Sequence, residues 1–513
     1  MPIRRFAFFA ALCGTCSVYA GDWLTFGADA QRTGWAQKES DITPENAKSL
    51  GLLWKIPLDN QAKELNSLTA PVAAEWVVTD KGMKEIVVVG GASDSLFAVD
   101  AESGKLLWKK TFQVEAKPRQ TPFWLCPNSL NATPLLAKGG LSVTVYAIAS
   151  DGKLHGLSAI NGEDIIPPTQ FVPAYSKNWS LNLYKDVLYT TTSQGCGGAK
   201  SGVWAMDLKS PERKVTFLQA STNAAGIWGR AGAAIGKSGM VYAQTGDGTY
   251  DAATGKLPDT ILAVSPDMKL ADYFTPSNHS YLTRKDLDAG SMSPVVFSFK
   301  GKEIVASAGK EGVISLLDAK NIGGPDHKTP LFRGALVANE DADFAGRGFW
   351  GAFATWEDGQ GTRWLYAPAS GPVASKAPAF EHTNGPAPDG SIMAFKVDEK
   401  DGKPVLVPAW VSRDMNLPEP PIIANGVVFA ISNGEFARQW RTEGSGLYSS
   451  KERAEKHTGN TVLYAFDAAT GKELFSSGNT MPSFTHFSGI AISGGKIFVT
   501  TYDSTLYAFG LKE

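Results

Sequence analysis

Short runs of alternating apolar and polar residues, broken by turns rich in Asp and Gly, recur along most of the chain. Leu96-Phe97-Ala98-Val99-Asp100 leads through Ser103-Gly104 into Lys105-Leu106-Leu107-Trp108, and Leu463-Tyr464-Ala465-Phe466-Asp467 leads through Thr470-Gly471 into Lys472-Glu473-Leu474-Phe475. Period-two alternation on both sides of a turn that needs permissive dihedrals predicts a β-hairpin. Degenerate copies lie at 154–157, 203–207, 261–264, 314–318, 392–395 and 506–509, which brings the number to eight. Ahead of most of them runs another β-rich pair, such as 85–90 or 496–500. Each repeat therefore supplies about four strands, the content of one propeller blade.

The two ends of the pattern complete each other. The last copy runs out at the C-terminus with no outer strand after it, while 52–57 is an apolar strand with no blade of its own. Pairing the two closes a ring and removes its exposed edges. The expectation is an all-β, eight-bladed β-propeller of four-stranded antiparallel blades, closed by its N- and C-terminal strands and forming one domain over 21–513.

Composition sharpens this picture. In 513 residues, 53 Gly and 29 Pro with 19% charged side chains suit many short strands better than long charged helices. Basic and acidic residues number 49 and 51, a balance that gives no electrostatic reason to expect nucleic acid or an anionic membrane as partner. A small neutral substrate is the default. Arg4 and Arg5, an apolar stretch over 6–12 and small residues before Gly21 read as an export signal over 1–20. A periplasmic or secreted protein is expected, and no later apolar run is long enough to span a bilayer. Cys13 and Cys16 fall in that leader, which leaves Cys126 and Cys196 free or paired at long range in an oxidising compartment.

Asp22-Trp23-Leu24-Thr25-Phe26-Gly27 through Arg32-Thr33-Gly34, then Ile42-Thr43-Pro44 and Leu50-Gly51-Leu52-Leu53-Trp54, together with the D-A-x-x-G-K-x-L-W/F repeats, resemble the pyrroloquinoline quinone (PQQ) type propeller family. That resemblance extends over essentially the whole chain after residue 20. It implies a quinone on the ring axis, a divalent cation to polarise it, and a carboxylate to take the substrate hydroxyl proton.

Residue by residue, Lys285-Asp286-Leu287-Asp288-Ala289 is similar to the family segment carrying the catalytic Asp, with Asp286 the better match and Asp288 close behind. Lys310, in Ala308-Gly309-Lys310-Glu311-Gly312, matches the basic residue that contacts the quinone oxygens. Asp247 stands where the family places an Asn ligand to Ca²⁺, a tolerable exchange for a harder oxygen donor. The other metal ligand is a Glu in a G-A-E-x-G-V pattern, and here Gly198-Ala199-Lys200-Ser201-Gly202-Val203 puts Lys200 in its place. An ammonium cannot ligate Ca²⁺. Either Lys200 stands in for the cation, or the pocket has abandoned PQQ. The segment Cys126-Pro127-Asn128-Ser129-Leu130-Asn131 resembles the one that carries a vicinal disulfide in alcohol-oxidising members, with Pro127 in the second Cys position; Cys126 and Asn131 are its candidate cofactor contacts. Trp228 and Trp350 lie near blade starts where family members offer aromatic contacts to the cofactor.

Two functions follow from this. One is an exported PQQ-dependent alcohol dehydrogenase-like oxidoreductase acting on an alcohol and passing electrons to a separate acceptor such as a cytochrome, since no C-x-x-C-H haem motif is present. The other is a non-catalytic propeller, a binding or assembly scaffold of the cell envelope. Zinc-binding His spacings, a G-x-S-x-G elbow and a P-loop are missing from the sequence. The insertion over 435–460, rich in Arg and Lys, reads as a cap or partner surface, with a solvated loop as the safer assignment.

Overall fold

The computed structural model describes residues 21–220, 226–457 and 459–512; the expected leader and its two cysteines lie outside them. The chain forms an eight-bladed β-propeller. In blade order, the sheets begin at Val72–Thr79, Leu135–Gly139, Lys177–Asn178, Ala234–Ile235, Val295–Phe299, Ala354–Glu357 and Ile422–Ala424, and each runs outward through antiparallel strands. Blade eight is the composite one. Ile490–Ser493, Lys496–Thr500 and Thr505–Leu511 come from the C-terminus, and Leu50–Pro57 completes their outer edge by antiparallel pairing from Leu50↔Leu511 to Pro57↔Thr505. Every hairpin copy read from the sequence supplies the third strand of a blade, as in Ser95–Asp100, Lys153–Ser158 and Val462–Asp467.

The repeat motif is explained by contacts between blades. Asp100 Oδ1 accepts the N–H groups of Glu102 and Ser103, which folds the turn, and Gly104 takes φ 67°. The Trp54 ring lies against Gly104, 2.6 Å from where a Cβ would stand, and its Nε1–H donates to the Ala101 carbonyl at 2.9 Å. Trp108 does the same to Ala159 and Gly162, and Trp410 to Ala468 and Gly471. The outer Trp of one blade thus docks on the D-A-x-x-G turn of the next, or on its degenerate form.

The segment 22–36 threads the inside of the ring. Its backbone bonds the inner strands in turn: Trp23 with Ala73, Leu24 with Leu136, Ala30 with Ile235, Gln31 with Val296, Thr33 with Thr355, and Gly34 and Ala36 with Ile423. Arg32 is 1% exposed and donates to the carbonyls of Phe26, Leu181 and Ala233 and to the Thr25 hydroxyl. Burial pushes its guanidinium down to about 9, with Asp29 opposing. Arg32→Met fills the volume but strands those acceptors, so it lowers stability by about 3–5 kcal/mol. The expected reading is a lower midpoint of denaturant unfolding at unchanged slope; an unmoved midpoint refutes the role of this segment.

Candidate functional site

The loops that link successive blades, and those joining second to third strands, gather on one face around the axis. They enclose a cavity of about 290 Å³ lined by Trp124, Lys177, Trp179, Gln194, Trp228, Arg230, Asp247, Asp286, Asp288, Lys310, Trp350, Glu435, Arg453, His486 and Phe487, among others. Its size is at the lower edge of ordinary small-ligand pockets. No helix among the described residues is long and apolar enough to cross a membrane.

One wall is acidic. The helix His279–Lys285 ends at Asp286, which caps it in a left-handed conformation at φ 54° and turns the chain so that both Asp286 and Asp288 line the cavity. Gly309 and Gly290 allow the adjoining loops to meet: a Cβ on Gly309 would lie 2.5 Å from the Asp288 carbonyl, and one on Gly290 2.6 Å from the Gly246 nitrogen. The result brings ligand oxygens of Asp247, Asp286 and Asp288 within 4.8 Å of one another. Lys310 Nζ sits 2.8 Å from Asp286 Oδ1 and 3.6 Å from Asp288 Oδ1. Trp228 Nε1–H donates to Asp288 Oδ2 at 3.0 Å, and Asp288 Oδ1 is buried without a hydrogen bond.

Burial and the neighbouring Asp288 push Asp286 up to about 7, against the pull of Lys310. Burial and Asp288 also push Asp247 up to about 6. Behind them Asp259, buried and beside Asp288, is pushed up to about 7 while it accepts from Thr283 and from the Ala289 N–H. Three carboxylates against one ammonium leave an excess of negative charge, and the donor set suits a hard divalent cation such as Ca²⁺. Trp228 and Trp350 meet edge to face, with ring centroids 5.3 Å apart, and both lie under the Lys310 ammonium at 5.4 and 5.3 Å.

The other wall is cationic. Arg230 pairs with Glu419, and Glu435 is held by Arg453 at 2.6 Å and by His486 at 2.7 Å. All five side chains are buried. Burial pushes Glu435 up, but His486, Arg453 and Arg230 more than reverse this and hold it down at about 2. Glu435 and Arg453 belong to the insertion. Residues 440–447 of it are exposed, while its ends fold onto the cavity: Ser449 and Glu452 form a capping box on the helix Ser450–Glu455, and Arg453 reaches from that helix into the cavity and lies 5.0 Å from the Trp124 ring.

Asp286, Asp288, Asp247, Lys310, Trp228 and Trp350 are thus brought together as the resemblance implied. Lys200 is not. Its side chain is exposed, and its carbonyl accepts from Thr192. Between Gln194, which lines the cavity, and Lys200, which faces solvent, lie a disulfide from Cys196 to Cys126 with a Cα separation of 5.4 Å and left-handed Gly197 and Gly198. Cys126 is therefore bridged, and its loop offers Trp124 and Leu125 to the cavity in its stead. Asn131 lies beside the cavity in a smaller pocket, bonded to Asn66, Ser129 and Ser176.

The ring, its docked repeat turns and the axial cavity define a propeller of PQQ-like repeats. A family model described as "Outer membrane protein assembly factor BamB" matches residues 38–323, more than half of the chain, and the chain belongs to that PQQ-like propeller family. It is 26% identical over 275 residues to a 1-butanol dehydrogenase (cytochrome c) of Thauera butanivorans, across 49% of this chain and 37% of that one. It is 27% identical over 252 residues to quinohemoprotein alcohol dehydrogenase ADH-IIG of Pseudomonas putida, across 49% of this chain and 26% of that one. These alignments span well under half of the relatives' length. Among solved structures, the quinohemoprotein alcohol dehydrogenase of Comamonas testosteroni superposes with a TM-score of 0.60 at 16% identity, covering 96% of this chain and 80% of that one. A europium-containing methanol dehydrogenase superposes with a TM-score of 0.59 at 14% identity, covering 96% and 98%.

The Glu435 pairing makes a pH prediction. Its carboxyl ionises near 4.5 in the unfolded chain and at about 2 in the fold, so its stabilisation is complete above 4.5 and is lost as pH falls toward 2. Glu435→Gln is expected to lower stability above pH 4.5 and to flatten its fall between 4.5 and 2. Thermal unfolding of both proteins at pH steps across that window reads the difference; parallel curves would refute the pairing.

Proposed function

We propose that this protein is an exported, quinoprotein-like oxidoreductase that binds PQQ in the axial cavity, oxidises an alcohol and passes electrons to a separate acceptor. The observation that carries the reading is the cluster of Asp286, Asp288, Asp247 and Lys310 beside Trp228 in one enclosed cavity. Trp228 offers a flat face, Lys310 a cation, and the three carboxylates a seat for Ca²⁺. Bound PQQ supplies an electrophilic carbonyl that accepts hydride, and the metal supplies Lewis acidity.

The chain's own residues do the rest. Asp286 faces the cavity with its side chain 46% exposed and takes the hydroxyl proton. Lys310, held charged by Asp288 and Asp286 against its burial, fixes Asp286 and places positive charge where negative charge develops. The Trp and Phe side chains give the cavity apolar walls beside these charges. The disulfide supports export, because such bonds persist in oxidising compartments. A periplasmic site and a cytochrome acceptor belong to this same proposal, which the alcohol dehydrogenase relatives support. The match to an assembly-factor description favours the second reading, a propeller scaffold of the cell envelope.

Titration of the purified protein with PQQ, with and without Ca²⁺, followed by dye reduction with primary and secondary alcohols, separates the two. Binding and turnover are expected, with Asp286→Asn binding PQQ but losing about 10²–10⁴-fold in kcat. Lys200→Glu is expected to change neither binding nor its Ca²⁺ dependence, because residue 200 points to solvent. Neither binding nor turnover in the parent protein would overturn the enzyme reading and favour the scaffold.

A further inference from the structure

Among the described residues, Lys177 is a buried cation of the cavity with no carboxylate partner. The residue is 3% exposed and lines the axial cavity, and among the described residues its ammonium has a single hydrogen bond, a 3.5 Å contact to the Trp124 carbonyl. The ammonium rests over the rings of Trp179 and Phe487 at 5.3 and 5.7 Å. An ammonium carries three donors, so most of its capacity faces the cavity. The charged groups around it do not satisfy it. Glu419 is engaged by Arg230 and Asn433, and Glu435 by Arg453 and His486. Two carboxylates thus answer two guanidiniums, and Lys177 is left over. A buried charge without a counter-charge is costly, which makes the wall receptive to one anion. The rings of Trp124, Trp179 and Phe487 around it favour a flat apolar body behind that charge.

We propose that Lys177, with Arg453 and Arg230 beside it, is a carboxylate-binding subsite, and that the substrate of this cavity is an organic acid with an aromatic or similarly flat body. Its carboxylate sits on Lys177, and its hydroxyl reaches Asp286 and Lys310. The placement of the hydroxyl rests on the oxidoreductase reading above, whereas the carboxylate subsite stands without it. The neutral substrate expected from the balanced net charge gives way here, because a balanced total hides a cavity with an acidic and a cationic wall.

The proton balance supplies a signature. Burial, and then the charge of Arg453, push the Lys177 ammonium down to about 7. At pH 8 the empty subsite therefore holds mostly the neutral amine, and a bound carboxylate draws a proton onto it.

Benzoate and benzamide, alike in shape and different in charge, are the probes. Calorimetry on the PQQ-free protein is expected to show benzoate bound at least about tenfold more tightly than benzamide, a preference of the size that a desolvated charge pair gives. At pH 8, runs in two buffers of different ionisation enthalpy are expected to show close to one proton taken up with benzoate and none with benzamide. Lys177→Met should abolish both the preference and the uptake while leaving thermal stability equal or higher, since no partner loses a pair. Should that variant fail to fold, the benzoate preference and proton uptake of the parent protein decide alone. Equal affinities, no binding of either probe, or proton uptake retained in Lys177→Met, which would place the proton on His486, overturns the subsite. Repeating the titration on PQQ-loaded protein assigns its occupant: benzoate still bound supports an acid substrate, and benzoate excluded overturns that assignment in favour of a carboxylate of the cofactor. If PQQ itself does not bind, the oxidoreductase reading falls while the benzoate preference remains measurable.

Discussion

The ring depends on the segment that runs through it. Docked Trp turns tie blade eight to one, one to two and six to seven, which fixes those pairs but does not by itself fix the circle. Residues 22–36 do so by bonding inner strands of blade after blade with their own backbone, from Ala73 through Ile235 to Ile423. Arg32 completes the hub. Its guanidinium is dry and draws the carbonyls of Leu181 and Ala233, from two different blades, onto the same side chain as Phe26. A buried cation whose donors are met by backbone oxygens and the Thr25 hydroxyl fixes the register of the segments that supply them, and its loss strands those acceptors. Closing strand Leu50–Pro57 then follows directly from the hub, and it returns to Thr505–Leu511.

A closed ring leaves the axis as the place where many loops can meet, and the cavity shows what that allows. Its acidic wall is drawn from blades four and five and the link between them, while its cationic wall is drawn from blades three, four, seven and eight and the cap. Inside a dry pocket, neighbouring negative charge raises a group's proton affinity and neighbouring positive charge lowers it. Asp286 at about 7 and Glu435 at about 2 are the same chemical group under these two regimes. Neither value comes from the residue itself.

This also explains which parts of the site could be read in the sequence. The propeller was legible because each blade repeats its period-two strand and its Asp and Gly turn within a few residues, so the signal is local. Asp286, Asp288, Asp247 and Lys310 could be singled out for another reason, since each lies in a short segment that resembles one of the family's. The cationic wall was not legible. Lys177, Arg230, Glu435 and His486 come from four distant stretches, and Lys177 in Ser176-Lys177-Asn178-Trp179 looks like any strand lysine until the ring closes around it. The exposure of Lys200 was not legible either, because the segment ahead of it is tied at Cys196 to Cys126, seventy residues earlier.

That bridge links the two halves of the argument. By tying Cys196 to Cys126 it holds the loop that carries Trp124, and Trp124 touches both of the cations that matter most to a ligand. Its carbonyl takes the one hydrogen bond that the Lys177 ammonium makes among the described residues, and its ring lies under Arg453. Arg453 in turn reaches Trp124 only because the helix Ser450–Glu455 folds the cap over the cavity. A disulfide, an inserted helix and a first-strand lysine therefore converge on one residue, Trp124, and on the loop that carries it. That convergence joins the parts of the cationic wall that a ligand of the cavity meets.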